Sequence, residues 1–256
     1  MFLEERQLQI SEFLKNKNAV TIHQLVKKFN ISLPTIRRDL SRLEQQGIIT
    51  RTHGGAIIKG DFFIETTFQK RIQKFINEKR KIAQYVVSKL IQQGDTIILD
   101  TGTTTFLVAS LIRQQHLSGI KIITNSIKNA TELAFCQGIT HILVGGKVQP
   151  ETLSLVGPEA IKSLNGFHVD KAFIGIAGLH WENGLTDIDS EEVFVKKEFL
   201  KIAKQKIILT DHSKVGKTFF VNICSLSEID IVVMDSDLDK KLKNKLDKTN
   251  VNFIYV

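Results

Sequence analysis

The segment Ser32-Leu33-Pro34-Thr35-Ile36-Arg37-Arg38-Asp39-Leu40 admits few structures. Ser32 suits a helix N-cap, and Pro34 falls in the first turn, where a missing N–H costs little. Ile36, Leu40 and Leu43 share one face at helical spacing, which points Thr35, Arg37, Arg38, Ser41 and Arg42 outward. Gly47 ends this helix. Beyond it, Thr52-His53-Gly54-Gly55-Ala56 reads as the tip of a β-hairpin, with 48–51 and 56–58 as its arms. Upstream, Leu8, Ile10, Phe13 and Leu14 form the stripe of a helix over 4–16. A second helix, capped by Thr21 and ended by Asn30, buries Leu25, Val26 and Phe29. Residues 1–58 are thus expected to form a small winged helix-turn-helix domain, a shape that lays a helix in the major groove of double-stranded DNA.

Ser32, Thr35, Arg37, Arg38, Arg42, Arg51 and His53 are the candidate DNA contacts. Arginine pairs with guanine edges in two-bond geometry and also anchors phosphates, so the residue type alone does not say which arginine does which. Arg38 could equally pair with Asp39, and His53 could equally stabilise its turn. The charge agrees with a nucleic-acid partner. Residues 1–60 carry 10 Lys and Arg against 5 Asp and Glu, whereas the other 196 carry 25 against 22, so most of the net +8 sits on the expected reading head.

Residues 59–77 read as a connector. From 78 to 256 helical and buried-strand patterns alternate, with strands at 96–99, 120–124, 141–144, 172–177, 206–209, 229–234 and 252–256. This predicts an α/β domain with a sheet covered on both faces. Such sheets bind ligands at the carboxyl ends of their strands. Asp100-Thr101-Gly102-Thr103-Thr104-Thr105 follows the first strand and runs into a helix, a composition suited to phosphate, though a threonine-rich cap without ligand has the same sequence. Thr124-Asn125, Gly145-Gly146 and the polar loop Ser154-Leu155-Val156-Gly157 occupy similar places. Lys171 stands at the start of a later strand, and Asp211-His212-Ser213-Lys214 follows another. Asp211 and Lys214 could hold sugar hydroxyls and an anionic oxygen, and one shared polar pocket is expected.

The order of Glu4-Glu5-Arg6, Thr35 to Leu40, Leu43-Glu44-x-x-Gly47 and Thr52-His53-Gly54-Gly55-Ala56 resembles the head of the DeoR-type bacterial transcription regulators. Gly102-Thr103-Thr104, Thr124-Asn125, Gly145-Gly146, Leu155-Val156-Gly157, Asp170-Lys171-Ala172-Phe173 and Asp211-x-Ser213-Lys214 continue the likeness to about residue 235. The resemblance implies an effector domain related in fold to sugar-phosphate isomerases, with 102–105 holding the effector's phosphate. It also implies that Asp211 and Lys214, and more weakly Glu191, touch the effector. The function it implies is a repressor of a carbohydrate-catabolism operon, released by a phosphorylated sugar and working as a homo-oligomer.

A sugar-phosphate isomerase-like enzyme using Asp211, Glu191 or Lys214 as acid and base is the alternative, but it leaves the basic head without a purpose. No catalytic residue and no cofactor is expected. The seven histidines show no metal-ligand spacing, and the two cysteines form no CxxC pair. With no secretory signal at the N-terminus and no long apolar run, a cytoplasmic protein that does not enter a membrane is expected.

Overall fold

In a computed structural model the described residues are 6, 7, 9–11, 13, 14, 19–45, 49–52, 54–58 and 68–256. Glu4, Glu5, Leu8, Gly47, Ile48, His53 and residues 59–67 of the connector, named above, lie outside them. The chain divides into two compact units, Met1–Lys70 and Arg71–Val256.

In the first unit, helical residues between 6 and 14 (α1) bury Ile10 and Leu14. Strand β1 (Ala19–Thr21) leads into α2 (Ile22–Phe29) and α3 (Leu33–Gln45). Thr21 caps α2 reciprocally: its hydroxyl accepts from Gln24 N at 3.2 Å, and its own N–H donates to the Gln24 side chain at 2.9 Å. Asn30 ends α2 in the left-handed conformation, φ 53°. Leu25, Ile36, Leu40 and Ile49 are fully buried beside Ile10 and Leu14, so the helical stripes read from the sequence form the core. The wing strands β2 (Ile49–Thr52) and β3 (Gly55–Ile58) are joined by β1, which pairs antiparallel with β3. That third strand is too short to show a sequence period. Gly55 permits it, because a Cβ there would meet the Val20 carbonyl oxygen at 1.9 Å.

Asp39 pairs with Arg6, not with Arg38. Arg6 Nε donates to Asp39 Oδ2 at 2.6 Å and Nη2 to Oδ1 at 3.2 Å, on a carboxylate that is 1% exposed. Arg38 is left exposed, with no ion pair among the described residues.

In the second unit, residues 71–73, within the segment read as connector, are helical and complete a helix, α4, over 68–73. Helix α5 (Ile76–Tyr85) continues as a π-helical turn, Val86–Leu90. The strands β4 (Thr96–Leu99), β5 (Ile120–Thr124), β6 (Ile139–Leu143), β9 (Val169–Gly175), β12 (Ala203–Thr210), β14 (Ile231–Met234) and β15 (Asn252–Tyr255) form one parallel sheet in the order β15-β14-β12-β9-β4-β5-β6. Their side chains alternate between two cores. Ile97, Leu99, Phe173, Ile207 and Val233 pack with α5 and α6 (Thr103–Gln114), whereas Ile98, Ala172, Ile174, Ile208 and Val232 pack with α8 (Pro158–Ser163) and α9 (Ser190–Ile202). Helix α7 (Ile127–Leu133) lies between β5 and β6 in sequence, and α10 (Lys240–Leu246) between β14 and β15.

The expected polar loop at 154–157 is instead β8 (Ser154–Val156), fully buried and antiparallel to β7 (Lys147–Gln149). A second small sheet, β10 (Gly178–His180), β11 (Gly184–Asp187) and β13 (Val221–Cys224), covers part of the same face. Among the described residues no helix is long and apolar enough to cross a membrane.

Arg6→Ala strands a buried carboxylate, which costs about 3 kcal/mol. Calorimetry of the full chain should show the transition of the first unit moved to lower temperature, and Arg38→Ala should leave it in place.

Candidate functional site

The sheet grows outward from β4 toward β5 and β6, then restarts on β4's other side with β9. Where neighbouring strands send their connections to opposite faces, their carboxyl ends leave a crevice. A cavity of about 260 Å³ occupies this position, lined by 101–105 after β4, 175–177 after β9, and Leu209, Asp211, Ser213 and Lys214 at the end of β12. The size suits a small metabolite.

Of the expected effector contacts, Gly102, Thr103, Thr104, Thr105, Asp211 and Lys214 meet on the wall of this cavity. Gly102 caps α6, so the backbone N–H groups of 103–105 have no acceptor within the helix and present a partial positive charge. Lys214 Nζ donates to the Ile176 carbonyl at 2.6 Å, and burial holds its pKa below the usual lysine range against the pull of Asp211 and Asp187. Asp211 is 2% exposed and accepts from Ser213 N at 3.1 Å, which orders the turn after β12.

Asp100 sits behind the wall. Its Oδ2 accepts from Gly175 N at 3.1 Å and pairs with Lys196, while Oδ1 is buried without a hydrogen bond. Burial pushes the Asp100 carboxyl up to about 6, against the opposing pull of Lys196.

The structure does not bring Thr124, Asn125, Gly145, Gly146, Lys171 or Glu191 to the cavity. Thr124 donates to the Leu99 carbonyl at 2.6 Å, and Asn125 donates to that of Leu155, so both brace loops from within. Gly146 has φ 137°, and a Cβ there would meet the Val156 oxygen at 2.6 Å, so its glycine serves the β7–β8 packing. Gly145 has open space around its α-carbon. Lys171 lies in the amino-terminal half of β9 and pairs with Asp95 just before β4, toward the opposite end of the sheet. Glu191 is a surface residue paired with Lys147.

Six charged residues on the wall escaped the sequence reading. Lys79 on α5 is 4% exposed; its ammonium donates to the carbonyls of Arg71 and of Lys74, the latter at 2.7 Å, and burial lowers its pKa to about 8. Arg71 and Lys74 also line the cavity. On α9, Glu192 and Lys196 face inward one turn apart. Glu192 accepts from Ser154 Oγ at 2.8 Å and from Thr152. Lys196 contacts Asp100 and the Gly175 carbonyl (2.9 Å), and lies 3.6 Å from Asp187, which also lines the cavity. Burial opposes the charge on Lys196, but Asp100, Asp187 and Glu192 outweigh it and raise its pKa. The periodicity of α9 held the signal: Glu192, Lys196 and Phe199 share the inner face, and Glu191 falls off it.

His212, Asp235 and Asp237 bring potential metal-ligating atoms within 4.8 Å of one another. Both Asp235 oxygens already accept hydrogen bonds, from His212 N and Asp237 N, and Oδ2 also meets His212 Nδ1 at 2.7 Å. This pairing seats the imidazole edge-on against Phe75.

In the head, Ser32, Arg37, Arg38 and Arg42 are exposed along α3, with Thr35 half-buried among them. Ser32 and Thr35 share a hydrogen bond of 2.9 Å. Arg51 ties the wing to the helix: its guanidinium donates to Ser41 Oγ at 2.8 Å and its N–H to Glu44 at 2.9 Å.

The model of the DeoR-like helix-turn-helix domain matches residues 6–60, and that of the DeoR C terminal sensor domain matches 74–236. The chain belongs to the DeoR family. It is 38% identical over 256 residues to the HTH-type transcriptional repressor GlcR of Bacillus subtilis (strain 168), covering 99% of this chain and 96% of that protein. It is 31% identical over 232 residues to the glycerol-3-phosphate regulon repressor of Escherichia coli (strain K12), covering 91% and 90%. Ribose 5-phosphate isomerase A from Methanocaldococcus jannaschii aligns over 53% of this chain and 52% of its own at 23% identity, with a TM-score of 0.39, too low to bear on activity. As a DeoR-family member the chain is a DNA-binding transcriptional regulator with a sensor domain, and its close relatives are regulators, not enzymes.

Gly146→Ala should lower the melting temperature of the sensor unit through its φ and the Val156 contact, and should not selectively weaken any ligand. A parallel thermal and binding titration checks both.

Proposed function

We propose that this regulator represses a carbohydrate-catabolism operon from the cytoplasm and leaves its operator when a phosphorylated sugar fills the cavity at the β4–β9 switch point. The observation that carries the reading is the meeting, in one crevice, of the α6 N-terminus, Lys79, Lys214 and the carboxylate of Asp211. Oriented N–H groups and ammonium ions suit a phosphate, and carboxylates suit sugar hydroxyls. Glycerol 3-phosphate in the name of one relative agrees with a small phosphate ester.

On this reading α3 enters the major groove. Ser32, Thr35, Arg37, Arg38 and Arg42 supply base and phosphate contacts, Arg51 orients the wing, and His53 adds a backbone contact. Operators read by such heads have two-fold symmetry, so a homo-oligomer presents the heads in pairs. Effector and operator prefer different states of the protein, and each weakens the other by the same factor, about 5- to 150-fold for a coupling of about 1–3 kcal/mol.

A thermal-shift screen of sugar and polyol phosphates beside their unphosphorylated parents tests the sensor. A ligand at 100 times its Kd stabilises the fold by about 2.7 kcal/mol. The phosphorylated compound should give the shift, its parent should not, and Thr103→Ala and Lys214→Ala should remove it. Arg37→Ala should abolish operator binding in a mobility-shift titration and leave the effector's thermal shift unchanged; equal DNA affinity would exclude α3 as the reading helix.

The pH dependence follows from the charges. A phosphate monoester loses its second proton near pH 6, so affinity should rise as pH increases through that value. Lys79 loses its proton near 8, so affinity should fall above it, and the depressed pKa of Lys214 acts in the same direction. Calorimetric titration from pH 5 to 9.5 should give a bell, and Lys79→Met should flatten its alkaline limb.

A further inference from the structure

The cavity wall carries charges of both signs, from different elements. Arg71, Lys74 and Lys79 come from one short segment, and Lys214 joins them from the turn after β12. Lys79 has Lys214, Arg71 and Lys74 as neighbouring charges, opposed by the carboxylate of Asp211. Beside them a single ammonium, Lys196, is shared by Asp100, Asp187 and Glu192, and Asp187 also acts on Lys214. The first group is a surplus of cations and the second a surplus of anions.

Glu192 and Asp187 are fixed where they stand. Glu192 is 6% exposed, with Oε1 held by Thr152 and Ser154, and its Oε2 receives no hydrogen bond from the described residues. Asp187 Oδ1 accepts from Ile188 N at 2.9 Å, and Oδ2 faces Lys196. Asp100 behind them has a further buried oxygen without a partner. An ionised carboxylate can only accept hydrogen bonds, so these carboxylates call for donors.

We infer that Asp187 and Glu192 are specificity-determining residues that restrict the effector to a phosphate monoester whose remaining groups are uncharged hydroxyls, and that they exclude compounds carrying a second anionic group. The inference rests on the sugar-phosphate reading above and adds which sugar phosphates can signal. Hydroxyls donate to the free carboxylate oxygens, while a second phosphate or a carboxylate meets fixed like charge in a partly desolvated site. Rejection by a built-in repulsion separates ligands that share the same phosphate anchor.

The test is calorimetric titration of the full chain with inorganic phosphate and with matched pairs: glucose 6-phosphate against 6-phosphogluconate, and fructose 6-phosphate against fructose 1,6-bisphosphate. In the wild type, at least one neutral-ended monophosphate should bind ten times or more tighter than its doubly anionic partner. Glu192→Gln and Asp187→Asn, both close to isosteric, should narrow that gap at least threefold by strengthening the doubly anionic ligand, with inorganic phosphate changed less than twofold. Glu191→Gln, at the surface one residue away, should change nothing. A wild type that binds the doubly anionic compounds as tightly as their partners overturns the inference and leaves the sugar-phosphate reading standing. Variants that keep their melting temperature yet leave the gap unchanged also overturn it. Absence of binding by inorganic phosphate and by every ester, in wild type and variants alike, overturns the sugar-phosphate reading itself, and the inference falls with it.

Discussion

The sensor unit depends on one buried ion pair. Lys196, 2% exposed, and Asp100, fully buried, meet at the carboxyl ends of β4 and β9. Asp100 also accepts the Gly175 N–H, and Lys196 donates to the Gly175 carbonyl. The end of β9 is therefore held from both sides by two residues 96 positions apart in sequence. Burying two charges costs several kcal/mol per ion, which the pairing alone seldom recovers, so the pair contributes less to stability than to position. It sets the spacing between the β4 and β9 loops, and through α9 it fixes Glu192 on the cavity wall.

The switch point explains why these groups converge. Both faces of the parallel sheet are covered by helices, so only strand ends can offer polar backbone to a ligand. Loops after β4, β9 and β12 open on the crevice, whereas those after β5 and β6 are occupied in holding β7 and β8. Thr124 and Asn125 follow a strand as Gly102 does, yet they face inward protein partners. Position in the strand order, more than loop composition, separates the two groups.

The pattern of the sequence was sufficient where the cause is local. Apolar runs found the sheet strands, the Thr21 and Asn30 caps bounded α2, and threonines following a strand pointed to the α6 terminus. It was insufficient where the cause is distant. Lys171 looked like a pocket cation until the direction of β9 placed it toward the sheet's other end. Glu191 is what the family resemblance implies, whereas the turn of α9 puts its neighbour Glu192 on the cavity wall. Lys79, Arg71 and Lys74 lie in what looked like connector and ordinary helix, and their role appears only once α5 is seen beside the ends of β4 and β12. The reverse case is Arg6: Asp39 stands beside Arg38 in the sequence, which left that pairing open, but its buried carboxylate pairs with a residue 33 positions away.

Lys79 carries one further consequence. A lysine ammonium has three N–H donors. Two are engaged by the carbonyls of Arg71 and Lys74, which fasten the chain at the point where it enters the sensor unit. The third is available to an oxygen in the cavity. A bound anion therefore need not displace either carbonyl, and it also shields the crowded charges of Arg71, Lys74 and Lys214 from one another. Occupancy would reinforce this fastening instead of undoing it. On the proposed function, an occupied cavity would leave residues 71–79 stiffer, with no bond broken.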